Sequence, residues 1–169
     1  RLSKKTLSVV NESVFEVVVK KPVADSLTYA APLPLDLLPF SMRNDPYYSI
    51  GTAFAVSQNR FVSCAHVVNL DDESQYENYY LRDRSGAVHE IDTVLAYSDS
   101  RDYIVFTVKD WTVSRWLPVR TDPTLNADVF AVGNAFGEGI IVRDGVYTSR
   151  TPENENGLWQ WLRFSAAAS

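Results

Sequence analysis

The chain has 169 residues, the size of one ordinary domain and long enough to bury roughly 70% of its unfolded surface. A formal charge of -5, with lysine and arginine scattered, leaves no basic stripe to neutralise phosphates, so no nucleic-acid partner is expected. A single cysteine, Cys64, excludes an internal disulfide framework, and no apolar run reaches the roughly 20 residues needed for a membrane span.

The 9 Tyr, 8 Phe and 4 Trp lie with β-branched residues in short runs broken by turn residues, which predicts an all-β chain. Residues 3 to 11 read as a short helix capped by Ser3, and Ser13 to Lys20 as a first strand. From Lys21 to Asn44 the prolines at 22, 32, 34 and 39 rule out continuous pairing and predict a long loop, whose apolar stretch up to Phe40 packs on its own barrel or on another subunit. Strands then recur at Ile50 to Ser57, Arg60 to Cys64, Glu77 to Arg82, Val88 to Tyr97 and Tyr103 to Val108. With the first strand they make a six-stranded unit over residues 1–108. Residues 109–127, with two tryptophans and two prolines, read as a connector. A second set over 128–169 shows three strands, Asp128 to Val132, Ile140 to Thr148 and Trp159 to Ser165, about half of a matching unit.

The stretch Gly51-Thr-Ala-Phe-Ala-Val-Ser-Gln-Asn-Arg-Phe-Val-Ser-Cys-Ala-His66-Val-Val delivers a histidine at a strand end. Alone, such a histidine is a residue that satisfies a loop carbonyl. Over 18 consecutive positions, however, the stretch resembles the histidine signature of the trypsin-like serine peptidase superfamily. Asp102-Tyr-Ile-Val-Phe and Gly133-Asn-Ala-Phe-Gly137 extend the resemblance, most closely to the Deg/HtrA family, with Ala135 where that family carries proline. The resemblance implies a trypsin/chymotrypsin-like double β-barrel, its second barrel incomplete in this chain. It also implies a serine endopeptidase that hydrolyses polypeptide substrates. His66 is then the general base and Asp102 the acid that holds its tautomer, because a serine hydroxyl at neutral pH needs a neighbouring base and that base an orienting partner. Asp99, in the preceding turn, is the weaker candidate for the acid.

His89 lies in an alternating strand with acidic neighbours and reads as outward-facing. Two histidines without matching cysteine or acidic spacing predict no metal site, and no cofactor is expected. Cys64 is not read as a nucleophile, since it is expected in the strand and not on a turn that presents an oxyanion hole. Neither Ser165 nor Ser169 has a glycine two positions before it, so the nucleophile is expected outside the chain, after Ser169, and the 169 residues alone are expected to be inactive. Small residues at Ala166 to Ala168 are expected near the primary specificity pocket, which favours small or medium aliphatic side chains. By analogy the family implies a homo-oligomer, a trimer through Phe40, Tyr47 and Tyr48, and a location in the bacterial cell envelope or periplasm. The reading from a different class is a non-catalytic, peptidase-like protein-binding module.

Overall fold

The computed structural model describes residues 2–21, 44–68, 76–134 and 139–167. The expected proline-rich loop and Phe40 lie outside these residues, as do Ala135, Ala168 and Ser169. Helix α1 (Lys4–Ser13) starts where Ser3 Oγ accepts the Thr6 N–H at 3.1 Å. It runs two residues past the expected end because the buried Ser13 hydroxyl donates to the Val9 carbonyl at 2.6 Å, and the β-branched run that follows then takes over.

Six strands close into a barrel: β1 (Val14–Lys20), β2 (Tyr47–Ser57), β3 (Arg60–Ser63), β4 (Tyr80–Arg82), β5 (Val88–Ser98) and β6 (Tyr103–Val108). Their order around the barrel is β1-β2-β3-β6-β5-β4, with every pairing antiparallel. Alternation sends Phe15, Val17 and Val19 of β1 to the interior, where they meet Ala53 and Ala55 of β2, Phe61 of β3, Leu81 of β4 and Ile104, Phe106 and Val108 of β6. The alanines leave room for the aromatic rings opposite. Register shifts at Val17/Val18 and along β5 supply the extra twist that a small barrel needs to close.

Trp111, just beyond β6, stacks on Phe61 at 5.6 Å between centroids and meets Phe15 edge-on at 5.2 Å. Beyond it the chain bonds to both halves of the molecule: Leu117 N–H donates to the Ala55 carbonyl, and Asn126 N–H to the Tyr147 carbonyl, each at 2.9 Å.

A second sheet of β7 (Asp128–Gly133), β8 (Ile141–Pro152) and β9 (Gln160–Phe164) has the order β7-β8-β9. It is half of a second barrel. Trp161, Leu162 and Phe164 of β9 are each about half exposed, the expected state of a strand whose barrel partners are not among the described residues. The all-β architecture with an incomplete second barrel is therefore as the sequence implies.

Candidate active site

The pairing of β3 with β6 brings the two predicted residues together. Ser63 faces Ile104, so continuing two positions along β3 and two back along β6 sets Ala65 opposite Asp102. His66 follows in a turn closed by the Val67 N–H and the Cys64 carbonyl at 3.1 Å. Its Nδ1 lies 2.6 Å from Asp102 Oδ2, and its backbone N–H donates to Oδ1 at 3.0 Å. Asp102 itself has φ 55°, a left-handed conformation that aspartate tolerates better than most residues. Asp99 stays exposed in the same turn, where its carbonyl accepts the Asp102 N–H at 3.3 Å.

Hydrogen bonding dominates the electrostatics of the pair. The His66 backbone N–H is the largest influence on the Asp102 carboxyl; burial opposes it, and the imidazole's hydrogen bond and charge with the Ala65 N–H tip the balance, so the carboxyl is held below its usual range. The His66 side chain is 71% exposed and that of Asp102 44%, so water screens their Coulomb attraction and geometry defines the pair. With Nδ1 engaged, Nε2 is the nitrogen left to exchange a proton. His66 borders an open cleft of about 390 Å³ between the barrel and the second sheet, lined on one side by Gly51, Thr52 and Val67 and on the other by Ala131 to Asn134, Ile141 and Arg143.

A histidine-carboxylate pair in the cleft between a closed six-stranded barrel and a second sheet is the arrangement of one peptidase architecture, and the profile of the trypsin-like peptidase domain matches residues 51–169. The chain belongs to that family. Among solved structures it is similar to an HtrA-type protease, AlgW, determined with a decapeptide, at 19% identity and a TM-score of 0.68 over 99% of this chain and 52% of that one. This chain thus spans about half the length of that structure, and the likeness concerns the fold. No curated protein sequence matches the chain significantly.

Three features of this trypsin-like domain explain parts of its motifs. A Cβ at Gly51 would sit 2.4 Å from Val67 Cγ1, so the glycine makes room for the residue next to His66. A Cβ at Gly145 would meet the Ala166 backbone nitrogen at 2.1 Å, which lets residues 165 and 166 lie directly on β8. The sequence suggests that the glycines between 133 and 139 allow a tight bend; residues 135–138 of that stretch lie outside the described residues, and Gly139 adopts φ 100°. The tie between the two halves is nevertheless Asn134. Its N–H donates to Thr52 Oγ1 at 2.7 Å, its amide donates to Ser49 Oγ, and its Oδ1 accepts the Gly139 N–H at 2.8 Å. The signal was an asparagine directly after a strand, which the glycines around it obscured.

Two expectations need correction. Cys64 is exposed, one residue past the end of β3, with its Sγ within 4.8 Å of a carboxylate oxygen of Asp102. Partial burial, and then the Asp102 charge, push its pKa up, so it is held as a thiol. His89 does not face outward: its ring stacks on Trp111 at 3.8 Å and its Nε2 lies 2.9 Å from Asp83 Oδ2, because the shelf made by Trp111 covers that side of β5. Of the small-residue run, the described Ala166 is buried against Gly145 and Ala167 lines the cleft. Ser165 is occupied on β8, its Oγ accepting the Val146 N–H at 2.9 Å.

Proposed function

We propose that these residues are most of the catalytic domain of a Deg/HtrA-like serine endopeptidase acting on polypeptides, with His66 as general base and acid and Asp102 as its orienting partner. The observation that carries this reading is the 2.6 Å contact of Nδ1 with Asp102 in a cleft-lining histidine of a trypsin-like domain. On this reading the nucleophile is a serine other than Ser165, whose Oγ is engaged by the Val146 N–H. In the first step the serine oxygen bonds to the scissile carbonyl carbon while Nε2 of His66 takes the hydroxyl proton. The imidazolium, stabilised by the Asp102 carboxylate, then gives that proton to the leaving amine, and water cleaves the acyl-enzyme by the same route. Ala167 at the cleft fits a preference for small or medium aliphatic residues before the scissile bond. On this reading residues 1–108 form the first barrel with its N-terminal helix, 109–127 the connector and 128–169 part of the second barrel. A cell-envelope or periplasmic location and a trimeric assembly follow by analogy with the HtrA type.

The test is casein cleavage and fluorophosphonate labelling by the full gene product, with and without His66→Ala. A peptidase loses about 10^6-fold in turnover on this substitution while keeping its fold. A product that neither cleaves nor labels, and whose protein binding survives His66→Ala, is the non-catalytic binding module instead.

A further inference from the structure

The thiol of Cys64 does not stand alone. Its Sγ, a ring nitrogen of His66 and a carboxylate oxygen of Asp102 all lie within 4.8 Å of one another, on side chains open to solvent. Thiolate, imidazole and carboxylate together are a donor set for a borderline-soft divalent cation, with zinc foremost, and a poor one for magnesium or calcium. Linear spacing hides the set, because Asp102 enters it through the pairing of β3 with β6.

We propose that Cys64, His66 and Asp102 form a zinc-binding site whose occupation switches the peptidase off; the inhibitory half rests on the function proposed above, the binding half does not. Bond lengths of about 2.3 Å to sulfur and 2.0–2.1 Å to nitrogen and oxygen imply donor separations of roughly 3.3–3.6 Å in a tetrahedral site. The Nδ1···Oδ2 contact of 2.6 Å therefore opens by about 0.7 Å, and the widest pair closes by about 1 Å. Exposed side chains make both movements by rotation, and water takes the fourth position.

Coordination releases the Cys64 thiol proton to solvent and shifts the imidazole proton from Nδ1 to Nε2. The consequence for catalysis is direct. A neutral imidazole with zinc on Nδ1 and a proton on Nε2 has no lone pair left to accept the serine proton, and its hydrogen bond to Asp102 is gone.

The experiment is equilibrium dialysis of the metal-free, untagged full gene product against zinc, with magnesium as control and with Cys64→Ala, Cys64→Ser and Asp102→Asn as variants. Circular dichroism verifies the fold of each. One zinc per chain is expected, weakened at least about 10-fold in every variant, with casein cleavage by the unsubstituted protein lost on zinc addition and restored by a chelator. In Cys64→Ala the ratio of activity with zinc to activity without it is expected to rise toward one. Absence of stoichiometric binding, or binding that Cys64→Ala leaves intact, overturns the site. Zinc binding by a protein that cleaves nothing sustains the site and overturns the peptidase reading alone; cleavage that bound zinc leaves unchanged overturns the switch.

Discussion

Arg101 directly precedes Asp102 and reaches across to the second sheet, where its guanidinium pairs with Glu153 and lies 4.3 Å from the ring centroid of Trp159. The turn that carries the carboxylate is thus anchored to the β8–β9 hairpin. Its other end is held by the Arg101 N–H, which donates to Ser98 Oγ at 3.1 Å. A left-handed residue such as Asp102 keeps its conformation only when its surroundings hold it, and this cross-link is one of the things that do.

Arg101→Ala is expected to release that turn. In the full gene product kcat should fall by about 10- to 100-fold with a smaller change in KM, since loss of alignment acts on the chemical step. A double-mutant cycle with Glu153→Ala should give a coupling of about 1 kcal/mol, because both side chains are only partly exposed. Equal activity in Arg101→Ala and unsubstituted protein would show that the turn holds itself.

Gly51→Ala is expected to destabilise the protein by about 1–3 kcal/mol and to lower activity, as the new methyl meets Val67 Cγ1 at 2.4 Å and pushes the turn that bears His66. Trimming the obstacle tests the cause. Val67→Ala in the Gly51→Ala background should recover activity, measured as casein cleavage alongside urea unfolding. A double variant no better than the single one would place the defect elsewhere.

Asn134→Ala should cost about 1–3 kcal/mol in urea denaturation, since Asn134 is 6% exposed and its loss strips partners from Gly139 N–H and Ser49 Oγ. The damage should concentrate at the contact between the barrel and the second sheet. Hydrogen exchange along β7 should rise more than in the β1–β2 ladder.

Stability should fall steeply in acid. Partial burial acts to raise the pKa of Asp45, but hydrogen bonds from Arg82 and from the Tyr47 N–H, with the Arg82 charge, outweigh it and hold the carboxyl below its usual range. At Asp83 burial is likewise outweighed, by His89, Ser85 and the Ala87 N–H. A carboxylate whose folded pKa lies below its unfolded value stabilises the fold above the unfolded value, about 3.9, and loses that contribution as the pH drops through the folded one. Thermal unfolding from pH 5 to pH 2.5 should therefore show a loss in the native protein that is shallower in Asp45→Asn. An unchanged slope in the variant would rule out Asp45 as a source of the acid limb.

Most of the fold was legible in the chain because its signals are local. Alternation in Val14 to Lys20 and in Tyr103 to Val108, turn residues between the runs, and the Ser3 cap each act within a few positions, and the strands of the barrel appear close to where the runs lie. Ends were less legible. The strand expected from Glu77 starts at Tyr80, and β8 continues to Pro152, because extent is settled by pairing with a neighbour and not by propensity. His66 and Asp102 were visible as motifs, each placed by its own strand end.

What the sequence by itself determined is the alternation of strands, the break between a six-stranded set and a three-stranded one, and the residue types offered at each turn, since these depend on side chains a few positions apart. What only the tertiary structure decided is which distant side chains meet: Cys64 beside Asp102, Arg101 on Glu153, Asn134 across to Thr52, His89 under Trp111. Each of these contacts depends on strand register and on how the two sheets pack. A shift of one residue in the β3–β6 ladder would turn every side chain of the strand to the opposite face and take Asp102 away from His66.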